Sequence, residues 1–197
     1  GTTTAGCYVG LGESIHKGSY DEIFDSWKET WEKNAAIDCF FHGGIMSQTN
    51  IDDIEKNASK YGISSYKILM TCKGEESKMI GGDPADDGFL WSAFQNIARL
   101  KKPGYICLHA ENIEIISRIL PTIRATGRQD LAAWAEARPG WCETLDVKRA
   151  IALAKTTGCP LYFVHIHHGD SVKVIEQAQA EGLNVVAETC PQYLLLN

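Results

Sequence analysis

Apolar positions along the chain fall into two alternating patterns. Short continuous runs at 37–41, 64–70, 105–109, 161–166 and 184–187 predict β-strands. Their continuity, without polar alternation, is that of parallel strands covered on both faces. Between them lie segments with helical spacing. Asn50 is placed to cap a helix carrying Ile51, Ile54, Ala58 and Tyr61 on one face, with Gly62 as its stop. Phe89, Ala93, Phe94, Ile97 and Leu100 repeat that spacing ahead of Pro103 and Gly104. Val147, Ala150, Ile151 and Ala154 repeat it ahead of Gly158, and a further helix is expected from Asp170 to near Gly182. A βαβα order implies right-handed crossovers in a parallel α/β sheet. The Gly-, Asp- and Glu-rich stretch 74–88 is expected to be a mobile loop after a strand, and 127–142 a second long connection. With no repeat, low-complexity tract or linker, residues 1–197 read as one domain.

Composition narrows the class. The 197 residues are 44% hydrophobic, 9% aromatic and 22% charged, values of a folded globular chain rather than a disordered one. A formal charge of −6 offers no electrostatic footprint for nucleic acid or an anionic membrane surface. No apolar run reaches the ~18–20 residues of a membrane span, and the opening GTTTAGCYVG has no basic start of a signal peptide. The seven cysteines are odd in number and form no CxxC pair. Several sit in apolar runs, which suits buried reduced thiols and a cytoplasmic location.

Chemistry concentrates at strand ends. His42, His109 and His165 terminate the runs FFH, YICLH and LYFVH, and Lys67 lies within SSYKILM. A single strand-end histidine is usually a hydrogen-bonded core residue. Several of them converge on one face if the parallel strands close into a barrel, and two or three imidazoles there suit zinc or a similar divalent ion. Lys67 admits two readings: an edge lysine that snorkels to water, or a desolvated amine of lowered pKa that reacts with carbon dioxide. The second would give a carbamate able to bridge two metals.

The segments SSYKILM, LHAEN, RPGWCE, LYFVHI and AETCPQYLLL, in this order and spacing, resemble the cyclic amidohydrolases of the dihydropyrimidinase/D-hydantoinase group. GTTT resembles that family's glycine–threonine turn, and DDGFLWSAFQNIARL its helix after the lysine strand. The resemblance implies a (β/α)8 TIM barrel, of which this chain covers central βα units. It implies hydrolysis of a cyclic amide C–N bond in a dihydropyrimidine, hydantoin or related cyclic ureide. By the same resemblance Lys67 is the carboxylated lysine bridging two divalent metals, commonly zinc, and His109 and His165 ligate one of them. His42 supports the ligands or packs beside them. Glu111 and Asn112 orient the loop after His109, Arg138 and Glu143 form a salt-bridged loop anchor, and Glu188 is structural. His167 and His168 fall outside the pattern and read as exposed. The resemblance also implies a homotetramer or homodimer for the full-length protein, and nothing implies an organic cofactor.

Two departures qualify the expectation. Where the family carries a substrate-binding tyrosine, five residues after the lysine, this chain has Cys72, a weak donor on the substrate side. That keeps allantoinase- and dihydroorotase-like substrates open. The family's HxH pair and general-base aspartate are expected upstream of GTTT and downstream of PQYL, so no proton-transfer residue is assigned within the chain. A non-catalytic dihydropyrimidinase-like assembly protein and a segment inactive alone are the alternatives.

Overall fold

The computed structural model describes residues 1–11, 16–100 and 104–196. Six strands run Thr4–Val9 (β1), Asp38–Gly44 (β2), Ser65–Leu69 (β3), Tyr105–His109 (β4), Leu161–Phe163 (β5) and Val185–Ala187 (β6). They form one sheet in sequence order, with every neighbouring pair parallel. A doubly wound sheet reverses its order at a switch point, and this one does not. Strands added always on the same side by right-handed crossovers carry their helices on one face and leave the other concave. The fold is α/β, an arc of a (β/α) barrel.

The helices are Phe24–Asn34 (α1), Gln48–Asp52 (α2), Ile54–Tyr61 (α3), Gly74–Ile80 (α4), Asp87–Ala98 (α5), Ile113–Ala125 (α6), Leu131–Ala137 (α7), Trp141–Thr157 (α8), Gly169–Ala180 (α9) and Pro191–Leu195 (α10). Strand register sorts the sheet into two faces, because paired residues point the same way and successive residues point oppositely. Tyr66, Ile106, Leu161 and Val185 form one row across the convex face, with Ile68, Leu108 and Phe163 in the next. All are buried in a single core with Leu90, Phe94 and Ile97 of α5, Val147 and Ile151 of α8, and Ile175 of α9. Each such side chain contributes about 1.5–3 kcal/mol by leaving water. The concave row holds Gly44, Lys67, Cys107, Tyr162 and Val186. This second face is partly open, with Phe40 and Val186 each 47% exposed.

Several expected boundaries move. The stretch 74–88 contains α4 and the start of α5 rather than a loop. Its Glu75 and Glu76 occupy the first turn of α4, where the helix dipole favours acids, and Gly81 ends the helix at φ +83. The connection 127–142 contains α7, whose Asp130 cap accepts the Ala133 N–H at 2.8 Å. Ser47, not Asn50, caps the helix after β2; Asn50 is buried and accepts the Met46 N–H at 3.0 Å. The chain then forms α2 and α3, which ends at Gly62 as expected. The strand read at 161–166 stops at Phe163, because His165 turns to φ +44. Strand β1 and helices α1, α6 and α10 were not anticipated.

All seven cysteines are free; Cys72, Cys107, Cys142 and Cys159 are buried and the other three partly so. Among the described residues no helix is long and apolar enough to cross a membrane.

Candidate functional site

Lys67 enters the concave face from the middle of β3, opposite Cys107 on β4 and Gly44 on β2. Two residues further along the same face, Leu69 pairs with His109, the last residue of β4. Lys67 is 6% exposed, and among the described residues no hydrogen bond or ion pair reaches its ammonium. Burial pushes its pKa down to about 8, against weaker opposing contributions from Cys107 and Glu188. Burial likewise drives the facing Cys107 thiol up to about 11. At neutral pH the lysine therefore has a larger neutral fraction than an exposed lysine, beside a thiol that stays protonated.

His109 and His165 are brought together from positions 56 residues apart: His109 Nδ1 lies 2.9 Å from His165 Nε2. Their rings meet edge to face, with centroids 4.7 Å apart. Burial, then His109 and Lys67, hold the His165 imidazole below its ordinary pKa, so it stays neutral and keeps a lone pair free for an acid. His109 Nε2 lies 3.6 Å from Glu111 Oε2, and Glu111 pairs with Arg138. Burial opposes ionisation of Glu111, but His109 and Arg138 outweigh it and keep the carboxyl below its usual range. Arg138 also lies over the Trp134 ring, 4.7 Å from its centroid. These groups line a cleft of about 590 Å³ with His165, His167, Glu143 and Tyr193.

The remaining expected residues sit around this centre. His42 is buried on the concave face of β2, its Nδ1 2.5 Å from Ser65 Oγ and its ring stacked on Tyr8. It does not line the cleft. Cys72 is 2% exposed and contacts the Asp83 carbonyl at 3.5 Å; it too is absent from the cleft wall. Asn112 caps α6 and donates to Asp146 at 3.1 Å. Arg138 and Glu143 do not pair: Arg138 serves Glu111, while Glu143 holds the segment after β5. His167 is exposed, as read, but contacts Glu143 through Nδ1 at 2.5 Å; His168 is only half-exposed. Glu188, on the concave side beyond β6, accepts the Tyr162 hydroxyl at 2.7 Å. Trp134 and Tyr193 were missed, since nothing in a lone aromatic on a short helix signals a cleft wall.

Two imidazoles beside a buried lysine that makes no ion pair among the described residues suit a divalent metal ion. A tetrahedral ion bound at 2.0–2.1 Å separates two ligand nitrogens by about 3.3 Å, close to the observed His109–His165 spacing. The imidazoles can supply lone pairs, and a carboxylated lysine would supply the anionic oxygens that this set lacks. Among the described residues no group of three or more His, Cys, Asp or Glu side chains could hold the ion unaided.

No family model matches the chain. A D-hydantoinase of Streptomyces coelicolor is 34% identical over 201 residues, spanning 100% of this chain and 40% of that protein. The chain is similar to the hydantoinases along its whole length. An allantoinase of Enterococcus faecalis is 32% identical over 165 residues, 83% of this chain and 35% of the allantoinase. The crystal structure of a dihydropyrimidinase from Brevibacillus agri superposes with a TM-score of 0.81 at 30% identity, covering 98% of this chain and 40% of that one. The hydantoinase likeness thus embraces the whole arc, which spans well under half the length of these relatives.

Proposed function

We propose that this chain contributes Lys67, His109 and His165 to a two-metal centre that hydrolyses a cyclic amide C–N bond, in a protein of the hydantoinase or dihydropyrimidinase type. The observation carrying this reading is the buried Lys67, unpaired among the described residues, on the same concave face as the 2.9 Å His109–His165 pair, in a chain similar to the hydantoinases. Two divalent ions, zinc by the match of imidazole and carboxylate oxygen donors, lower the pKa of a shared water and polarise the ring carbonyl when bound. The chain's own residues prepare that chemistry. Burial keeps a larger share of Lys67 unprotonated than an exposed lysine has, and the neutral amine is the form that attacks carbon dioxide, its proton leaving to solvent. His109 is steadied by Glu111, itself held by Arg138.

Substrate choice stays with the class of small cyclic ureides. Cys72 in place of a tyrosine, and its packing against Asp83 rather than in the cleft, removes one expected hydroxyl donor to the ring. That favours keeping allantoin beside hydantoins and dihydropyrimidines, in line with the allantoinase relative. The seven free thiols suit a reducing, cytoplasmic setting, and assembly of the intact protein as a homotetramer or homodimer accompanies this reading.

The test uses the intact gene product containing this chain, reconstituted with zinc and bicarbonate. Hydantoins, dihydrouracil, allantoin and dihydroorotate are assayed for ring opening, and a tryptic peptide containing Lys67 is weighed. Turnover of one ureide, with the mass of carbon dioxide added on Lys67, supports the proposal. A metal-loaded protein with unmodified Lys67, or a Lys67→Ala variant of parental activity, overturns it.

A further inference from the structure

Glu143 lies in the first turn of α8 with its side chain 2% exposed, and both of its oxygens are directed at the segment after β5. Oε2 accepts the backbone N–H of His167 at 3.1 Å and faces His167 Nδ1 at 2.5 Å. Oε1 accepts the backbone N–H of His168 at 3.1 Å. On the other side of the segment, the Ile166 N–H donates to the Glu188 carbonyl at 2.7 Å. Just ahead of these three anchored amides stands His165 at φ +44, the one described non-glycine residue with positive φ. Positive φ is uncommon for a residue with a side chain, though less so for histidine, and contacts on both sides of the turn hold His165 there. Its ring is thereby delivered to His109 rather than left along the line of β5.

We propose that Glu143 is the positioning residue for His165: by binding two successive amides, its carboxylate fixes the left-handed turn that presents the imidazole to His109. This rests on the metal-centre reading above for its purpose, and on the hydrogen bonds for its geometry. Only a carboxylate satisfies both N–H groups in this way, since an amide would set its own NH₂ against one of them. The ion pair with His167 is secondary, because the turn is closed by backbone donors that any residue at 167 supplies.

The experiment compares Glu143→Gln and His167→Asn with the parent in the intact protein. Backbone hydrogen exchange at 166–168 is followed without metal, and zinc affinity is then measured by competition with a chelator. Glu143→Gln should speed exchange at 166–168 by roughly tenfold or more while amides of β4 and the body of α8 keep their protection. Its zinc affinity should fall about 10–100-fold, the usual effect of removing a group that orients a ligand. His167→Asn should leave exchange and affinity within about twofold of the parent, since both amide bonds to Glu143 survive. Unchanged exchange in Glu143→Gln overturns the proposal, as does a His167→Asn variant that reproduces the Glu143 losses. If Glu143→Gln does not fold, Glu143→Asp carries the same comparison: its shorter stem withdraws both oxygens and keeps the charge. Faster exchange confined to 166–168 then supports the clamp, and parental exchange overturns it. A parent protein that takes up no zinc defeats the metal-centre reading, and the exchange comparison still decides the clamp.

Discussion

Lys67 and Cys107 face each other across the β3–β4 ladder, a cation and a thiol sharing a desolvated niche with no anion among the described residues bonded to either. Burying an ammonium without a partner destabilises the folded chain. Lys67→Met should therefore raise metal-free stability by about 1–3 kcal/mol at neutral pH while removing the proposed bridging group. Urea midpoints measure the first effect and zinc titration the second. A lowered midpoint would show that the lysine is held by a partner after all.

His42 supplies a pH dependence. Burial first, and the Lys67 charge next, keep its pKa below the ordinary 6.5. The unfolded chain then takes up this proton more readily than the folded one, so stability declines as pH falls through 6.5 and levels off below the folded-state pKa. His42→Gln should flatten that decline between about pH 7 and 5. Parallel urea titrations of both proteins check it, and identical slopes would count against a buried neutral His42.

Much of this was readable in the amino-acid order, and the failures have physical causes. Strands β2 to β6 announced themselves because the convex face must be apolar, and Lys67, His109 and His165 stood out against that background. Strand β1 did not, since Gly6, Cys7 and Tyr8 carry little of the branched apolar signature. Helices α4 and α7 passed for loops because Glu75, Glu76 and Asp130 read as solvated charge, although acids at a helix start are a starting signal. The Arg138–Glu111 pair joins residues 27 apart, and the Glu143 contacts span 24 and 25; only the folded path of the chain creates them. The positive φ of His165 is likewise invisible in LYFVHIHH.

Asp146 binds the loop after β4 to two helices. It is 1% exposed, and its Oδ1 accepts from Asn112 at 3.1 Å and from Arg149 at 2.9 Å, while Oδ2 has no partner among the described residues. Arg149 continues to Asp87 and to the Ala85 carbonyl. Asp146→Ala strands Asn112 and part of Arg149, and should cost about 2–4 kcal/mol. Denaturant unfolding measures the loss; a change below experimental error would mean that the network is dispensable.

Gly140, the residue before α8, meets the His168 ring so closely that an added Cβ would overlap it. Gly140→Ala should expel the imidazole from its 3.0 Å contact with Thr144 at a cost of about 1 kcal/mol. The Glu143 amide bonds stay intact, so His165 keeps its place. An imidazole NMR shift at His168 without one at His165 is the expected signature. Equal shifts at both rings would tie the two residues together.

The strict alternation of the strands has one more consequence. Tyr66 and Ile68 hold β3 to its helices, while Lys67 between them faces the concave side. Ligands can thus be exchanged on one side of a strand without reworking the adhesive on the other. The same arithmetic makes the strand intolerant of slippage by a single step. One residue inserted ahead of Lys67 would drive its charge into the oily layer beneath the helices and turn two grease-facing neighbours toward water. Folding and reactivity would fail together.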